Sequence, residues 1–323
     1  MKQCDIVALG ELLIDFTTER TDGEGYPTMT AHPGGAPANF LAALAKYGRK
    51  TAFLGKVGRD AFGDLLINTL EKSGIYTGGI VQDSSAFTTM AFVTLDGQGE
   101  RSFSFARKPG ADTLLRPEEL DLSLIDGAKV LHFGSLSLTN EPARTATERA
   151  VGYAQRQKKL ITFDPNLREP LWTNLNEAKS QMLWGLRWAH VVKLSEQEVE
   201  FLFGCSPEEG AERLLEEFGV RLAMVTLGAE GCILKNRTAT YRGRPPKVTA
   251  VDTNGAGDIF GGSALHMLME LGKAPSTLNE KELEQVGRFA MTAASLSTTR
   301  TRGISSVPEL SEVQKLLREE EIG

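Results

Sequence analysis

"AVDTNGAGDIFGGSAL" (residues 250–265) places four glycines around one carboxylate, Asp258. The preceding "KVTAVDT" is an extended run, and "DIFGGSALHMLMELG" (258–272) has helical periodicity that ends at Gly272. "NGAG" (254–257) is therefore predicted to be a turn between an extended segment and a helix. The first amides of a helix lack partners within the helix and carry partial positive charge, so this turn is suited to bind an anion.

The glycine-rich stretch does not match the two common phosphate-binding patterns. No Gly-Lys-Ser/Thr sequence with the required upstream glycine is present, and the GxGxxG spacing fails at Phe260. Asp258 has two interpretations from position alone. An acid in the first turn of a helix complements the helix dipole, and the same carboxylate could serve in catalysis.

Composition argues against several classes of partner. The 323 residues carry a net charge of −6 without a dense Lys/Arg block, which argues against nucleic acid or an anionic membrane as the main partner.

The three cysteines are far apart and form no CxxC pair, as is typical of a reducing compartment. No run of about 18 apolar residues is present, and acids interrupt the apolar N-terminal stretch. A soluble cytoplasmic protein is expected.

Short apolar runs alternate with longer helical patterns along most of the chain. This alternation, regular from residue 128 onward, predicts an α/β fold with a parallel sheet covered on both faces. Two segments, approximately 11–32 and 87–107, interrupt it and are interpreted as a small antiparallel β flap on one domain that spans residues 1–323. An ordinary edge hairpin would give the same pattern.

A second glycine pair lies near the N-terminus. "HPGGAPANFLAALAKYG" (32–48) puts Gly34 and Gly35 before a helix and Asn39 in its first turn. In "GELLIDF", Asp15 lies at the far end of the first strand region, where ligands of open α/β sheets bind. A helix entry with Pro37 near its start would also explain the glycines.

"GGAPANFLAALAKYG" and "DTNGAGDIFGG" resemble the two diagnostic stretches of the ribokinase-like (PfkB) carbohydrate kinases. The ordered match runs from residue 5 to 308, and "GELLIDF", "GKVGRDAFG", "DPNLR" and "KLSEQE" look like the fructokinase branch. The resemblance implies a three-layer α/β/α sandwich with a mostly parallel central sheet and a small β-sheet lid. It also implies ATP with Mg²⁺ as phosphoryl donor and a small-molecule sugar as acceptor.

The resemblance also implies roles for individual residues. Asp258 would be the general base, the amides of Gly255, Ala256 and Gly257 the anion hole, and Arg168 a contact to the sugar or the transferring phosphate. Residues implied to bind the sugar are Asp15, Gly34, Gly35, Asn39, Arg107, Asp164 and Asn166. Asp-Pro-Asn also makes a competent turn by itself, so Asp164 and Asn166 have a structural alternative.

Other residues are implied to bind the nucleotide or metal ions. The nucleotide set is Lys193, Ser195, Thr226, Gly228 and Gly231. Glu198 would hold Mg²⁺ through water, although Ser195 and Glu198 also fit a helix capping box, and the family often has Asn in place of Ser195. The residues that correspond to the family's K⁺ loop are Asp252, Asn254, Gly303 and Ser306, with Asn254 in place of the commoner Thr.

The predicted function is an ATP-dependent sugar kinase that converts fructose to fructose 6-phosphate. Alternative acceptors are 2-keto-3-deoxygluconate, ribose or a nucleoside, and a non-catalytic sugar or nucleotide sensor on the same fold is a further alternative. A lid sheet with an exposed edge could pair with a second copy, so a homodimer through the lid is also considered.

Overall fold

The structure, a computed structural model, describes residues 4–95, 101–301 and 303–322. The middle of the second predicted lid segment, residues 96–100, lies outside the described residues. Within the described ranges, none of the helices has the length and apolarity needed to cross a bilayer.

The described residues form strands and helices in an alternating order. The strands are β1 (Ile6–Leu9), β2 (Leu13–Thr21), β3 (Pro27–Gly34), β4 (Thr51–Gly58), β5 (Ile75–Asp83), β6 (Met90–Leu95), β7 (Arg101–Ala106), β8 (Val130–Phe133), β9 (Leu160–Phe163), β10 (Val191–Ser195), β11 (Leu222–Thr226), β12 (Cys232–Lys235) and β13 (Thr240–Gly243). The helices are α1 (Ala36–Lys46), α2 (Ala61–Lys72), α3 (Leu122–Gly127), α4 (Ala143–Arg156), α5 (Leu175–Trp188), α6 (Glu196–Phe203), α7 (Pro207–Glu217), α8 (Ala256–Leu271), α9 (Glu280–Thr298), α10 (Gly303–Ser306) and α11 (Leu310–Ile322).

The large sheet has the strand order β13-β12-β11-β10-β9-β8-β1-β4-β5. The pairs from β5 to β11 are parallel, and β12 and β13 are antiparallel additions at one edge. The mostly parallel sheet predicted from the alternation is confirmed. Central strands such as β1 and β4 are buried along their whole length, because helices cover both faces.

Two hydrophobic cores lie on opposite faces of this sheet. In β1, Ile6 and Ala8 pack with α1, α2, α8, α9 and α11, whereas Val7 and Leu9 pack with α3 to α7. Successive side chains of a strand point to opposite faces, so one short apolar strand contributes to both cores. The three-layer α/β/α sandwich is confirmed.

The predicted lid segments form a separate four-stranded sheet with the order β3-β2-β6-β7. Strands β2 and β3 form one antiparallel hairpin, and β6 and β7 form the other. The predicted β-sheet lid is confirmed, with antiparallel pairing inside each hairpin and parallel pairing between β2 and β6 at its centre. The physical reason is topological: β2 follows β1 and β6 follows β5, so both leave the same edge of the parallel sheet in the same direction.

The position of β1 determines where a ligand can bind. The chain passes from β1 to β4 on one side of it and later places β8 on the other. Such a switch point leaves a crevice at the carboxyl ends of the strands, which is where open α/β sheets bind ligands. The lid strands β2 and β6 start at this edge.

Candidate active site

A pocket of about 100 Å³ lies between the carboxyl edge of the large sheet and the lid. The lid contributes Val93 and Phe105, and the amino ends of α1 and α8 face each other across the pocket. The structure brings together ten of the predicted site residues in its lining: Asp15, Gly34, Gly35, Asn39, Asn166, Arg168, Asn254, Gly255, Asp258 and Gly303.

Asp258 lies in the first turn of α8 and is clamped by two amides. Asn39 Nδ2 donates to Asp258 Oδ2 at 2.9 Å, and Asn166 Nδ2 donates to Oδ1 at 2.6 Å. Burial raises the pKa of Asp258, and the Asn39 hydrogen bond and the nearby cations Lys193 and Arg168 oppose that shift. A carboxylate oxygen can accept more than one hydrogen bond, so the clamped group can also take a proton from a hydroxyl in the pocket.

The turn before α8 has the geometry that its glycine requires. Gly255 has φ 77° and ψ −5°, and the Ala256 amide donates to the Thr253 carbonyl oxygen at 3.3 Å, which closes a type II turn. A Cβ at Gly255 would lie 3.1 Å from Asn39 Nδ2. Of the three backbone amides expected to bind an anion, that of Ala256 is therefore hydrogen-bonded within the turn.

The opposite wall of the pocket is formed by the first lid hairpin and the start of α1. A Cβ at Gly34 would lie 2.3 Å from Asp15 Oδ2, so only glycine leaves room for this carboxylate. Burial raises the pKa of Asp15 to about 6, with Arg168 opposing the shift and Asp258 adding to it. Asn39 Oδ1 is buried without a hydrogen-bond partner within the described part of the chain. These groups can accept hydrogen bonds from the hydroxyls of a polyol.

Glu11, which the motif analysis did not select, is a further carboxylate in the lining. Its Oε1 accepts the Ala36 amide at 2.9 Å, while the N-cap residue Gly35 makes no side-chain cap. Glu11 thus caps α1 from 25 residues away. Burial raises the pKa of Glu11 to about 7. The signal available in the sequence was an acid two residues after a wholly apolar strand, within the "GELLIDF" stretch.

Arg107 and Asp164, both predicted to bind the sugar, do not line the pocket. Arg107 is buried and donates to Asp112, to Thr139 Oγ1 and to the Leu136 carbonyl oxygen. Asp164 is buried in an ion pair with Lys193 at 2.8 Å. A sugar contact by Arg107 would require these hydrogen bonds to break, so its role as a sugar ligand stays a prediction.

Two of the predicted nucleotide residues, Ser195 and Thr226, lie at the neighbouring ends of β10 and β11 and are paired in register. The capping-box alternative is observed: Ser195 Oγ accepts the Glu198 amide, and Glu198 Oε2 accepts the Ser195 amide. Glu198 Oε1 accepts the Leu167 amide at 2.9 Å, which joins the β9 loop to α6. Both carboxylate oxygens thus accept amides, and their remaining lone pairs suit a water molecule between Glu198 and a metal ion.

The other predicted nucleotide and cation residues also have structural contacts. Gly231 has φ 105°, and a Cβ there would collide with the Gly243 carbonyl oxygen. Lys193 lies under the pocket with Asp164, and Gly228 begins a 3₁₀ turn after β11. Asp252 Oδ1 accepts the Asn254 amide, and Ser306 Oγ donates to the Gly303 carbonyl oxygen. Among the residues the structure describes, no group of three His, Cys, Asp or Glu side chains could hold a metal ion.

Comparisons with known proteins agree with this geometry. The model of the pfkB family of carbohydrate kinases matches residues 3–310. Fructokinase-1 from Zea mays is 43% identical over 318 residues, covering 97% of each chain. The structure of a fructokinase with bound ATP from Xylella fastidiosa superposes with a TM-score of 0.90 at 33% identity, covering 98% of this chain and 99% of that one. A fructokinase double mutant from Vibrio cholerae, solved with fructose, ADP and potassium ion, has a TM-score of 0.86 at 31% identity, covering 98% of this chain and 99% of that one.

The chain, with its clamped aspartate and glycine turn at the amino end of α8, belongs to the PfkB family of carbohydrate kinases, which phosphorylate a sugar hydroxyl.

Proposed function

We propose that this kinase transfers the γ-phosphate of ATP to the 6-hydroxyl of fructose. Asp258 takes the hydroxyl proton, the sugar oxygen forms a bond to the γ-phosphorus, and the bond to the β–γ bridging oxygen breaks to release ADP. The observation that carries this proposal is the Asp258 carboxylate, held by Asn39 and Asn166 at the base of a hydroxyl-accepting pocket. A positioned base contributes about 10²–10⁴-fold to such a step.

The charge of the pocket favours a neutral sugar over a sugar acid. Among the described residues, its lining contains the carboxylates of Glu11, Asp15 and Asp258 and one cation, Arg168. Arg107, a second cation, is instead paired with Asp112. A keto-deoxy acid would bring another negative charge into this environment, whereas fructose donates hydroxyl hydrogens to carboxylates. Because similar proteins carry the name fructokinase, we favour fructose over ribose as the acceptor.

Metal ions complete the proposal. Mg²⁺ would be bound by the ATP phosphates and, through a water molecule, by the Glu198 carboxylate. The ion would neutralise negative charge on the phosphates. Asp252 and carbonyl oxygens near Gly303 offer the hard oxygen ligands that suit K⁺. The Vibrio cholerae fructokinase was solved with a potassium ion, which supports K⁺ as a ligand of this kinase.

The acceptor is tested by measuring ADP release with ATP, Mg²⁺ and a panel of fructose, ribose, 2-keto-3-deoxygluconate and a nucleoside. We expect the highest kcat/KM with fructose. A higher kcat/KM with another compound of the panel would identify that compound as the substrate in place of fructose. Sugar binding without ADP release for any compound would indicate a sensor.

The base is tested by Asp258→Asn, which keeps the size of the side chain and removes its basicity. We expect kcat to fall by about 10²–10⁴-fold while ATP binding and the unfolding temperature are retained. Asp64→Asn is a matched control, since Asp64 also lies in a first helical turn, that of α2, on the surface. Near-normal turnover of the Asp258 variant would remove this residue from the mechanism.

The proposed location is the cytoplasm, and the proposed assembly is a homodimer through the lid. All three cysteines are free in the structure, as expected in a reducing compartment. The lid sheet ends in two edge strands, β3 and β7, which could pair with a second copy.

A further inference from the structure

Lys193 on β10 and Asp164 after β9 form an ion pair beneath the pocket. Lys193 Nζ donates to Asp164 Oδ2 at 2.8 Å, and both side chains are buried. A buried ion pair seldom stabilises a fold more than apolar residues of the same size would, because both charges lose their hydration. Its presence here points to a role beyond stability.

The ammonium group of Lys193 lies against the first turn of α8, the turn that carries Asp258. A Cβ at Gly257 would lie 3.1 Å from Lys193 Nζ, and a Cβ at Gly261 would lie 3.8 Å from Lys193 Cδ. The lysine side chain therefore runs under α8, and the absence of a side chain at Gly257 leaves room for its ammonium group. A cation at the positive end of a helix is unfavourable for the helix dipole, which Asp164 offsets.

The pair borders a cavity of about 20 Å³ that is also lined by Thr162 and His132. Asp164 Oδ1 is buried and has no hydrogen-bond partner in the described part of the chain. The cavity has room for about one water molecule, which would find polar partners there. One carboxylate oxygen of Asp164 is thus bound to Lys193, while the other has no partner in the protein.

We propose that Lys193 and Asp164 are a positioning pair that supports the amino end of α8 and keeps the Asp258 carboxylate charged for catalysis. Lys193 is then a positioning residue rather than a nucleotide ligand. The inference rests on the proposed role of Asp258 as the base.

The electrostatic surroundings of Asp258 make this role measurable. Burial alone would lower the pKa of Lys193, but Asp164, with Glu198 and Asp258, raises it, so the lysine stays charged. Lys193 in turn acts against the burial that raises the pKa of Asp258. Asn39 and Asn166, which contact Asp258, are neutral; the charged groups that face it are Asp15 on β2, Asp164 and Arg168 beyond β9, and Lys193 on β10.

The test is the pH dependence of kcat at saturating ATP and fructose for Lys193→Met. The base works when deprotonated, so kcat falls as pH drops through the pKa of Asp258. Loss of a nearby cation raises that pKa, and we expect the acid limb to move to higher pH by about one unit or more. Asp164→Asn leaves Lys193 unpaired and should move the limb to lower pH.

The double variant Lys193→Met/Asp164→Asn keeps the test valid if the single variants fold poorly. It leaves no unpaired buried charge and should show a smaller upward shift than Lys193→Met, because the loss of the Asp164 charge partly cancels the larger effect of losing the cation. Lys56→Met is the matched control, because Lys56 is also buried and ion-paired, with Asp83 and Glu119, but does not line the pocket. The control should lower stability and leave the acid limb in place.

The outcomes separate this inference from the proposed function. An unchanged acid limb in both Lys193→Met and the double variant, with Asp258→Asn inactive, would overturn the positioning role and leave Asp258 as the base. Normal turnover of Asp258→Asn would instead overturn the function of Asp258 itself.

Discussion

The acidic side chains of the pocket are buried, and burial disfavours their ionised form. Burial raises the pKa of Glu11 to about 7 and that of Asp15 to about 6, and it raises the pKa of Asp258 as well. Each ionised acid therefore destabilises the folded state when the pocket is empty. A sugar that donates hydroxyl hydrogens to these groups compensates for the hydration they have lost, which favours binding of a polyol.

Asp15→Asn should stabilise the unliganded protein and weaken fructose binding. At pH 8 the acid is ionised in both the folded and the unfolded chain, and its raised pKa corresponds to roughly 1–3 kcal/mol of lost stability, which the amide removes. Below about pH 3 the acid is protonated in both states, so the advantage of the variant should disappear. Urea unfolding at the two pH values measures this difference. A variant that is less stable than the wild type at pH 8 would contradict the expectation.

At the scale of elements, the end of β7 is anchored by the buried Arg107–Asp112 pair. Thr89, just before β6, donates to the same Asp112 carboxylate, and Arg107 also reaches the Leu136 carbonyl oxygen beyond β8. The second lid hairpin is thereby joined at its base to the large sheet. The first hairpin is joined in a similar way by Glu11, which caps α1 directly after β3.

Arg107→Met should act on stability more than on sugar binding. Breaking a buried pair leaves Asp112 without its partner and costs about 3–5 kcal/mol. Urea unfolding and the KM for fructose measure the two effects. The control Arg213→Met removes an exposed pair with Glu217 and should change little. An unchanged free energy of unfolding combined with a raised KM for fructose would indicate that Arg107 binds the sugar.

At the scale of the whole molecule, the lid is a second sheet set over the edge of the first. Its hairpin tip carries Tyr26, which is 67% exposed, and its edge strand β3 has no neighbour on one side among the described strands. Open edges favour pairing with another chain, and the pocket lies directly beneath this sheet. Association through the lid would therefore affect access of the sugar.

We expect sedimentation equilibrium to give twice the chain mass, and Tyr26→Asp to shift the protein toward monomer. A charge beside the edge strand opposes strand pairing between copies. Leu175→Asp is the matched control, since Leu175 is also an exposed apolar residue but starts α5 on the large domain. A monomer at all concentrations, or equal dissociation by both variants, would rule out this interface.

The sequence by itself determined the features that depend on neighbouring residues. The alternation of strands and helices, the turn at Gly255, the Ser195–Glu198 capping box and the position of Asp258 in a first helical turn all follow from local patterns. Such patterns are readable because their hydrogen bonds and backbone angles involve residues a few positions apart. For the same reason the two lid segments could be assigned to a β flap, while the parallel pairing between them could not be predicted.

Which polar groups face the ligand and which face each other depends on the tertiary structure. Arg107 and Asp164 have the residue types of sugar ligands, yet each is paired with a partner that removes it from the pocket. Glu11, which lies in "GELLIDF" but was not predicted to be a site residue, lines the pocket. The physical reason is that burial and pairing depend on segments that are distant in the sequence. Glu11 and its partner Ala36 are 25 residues apart, and Lys193 and its partner Asp164 are 29 residues apart.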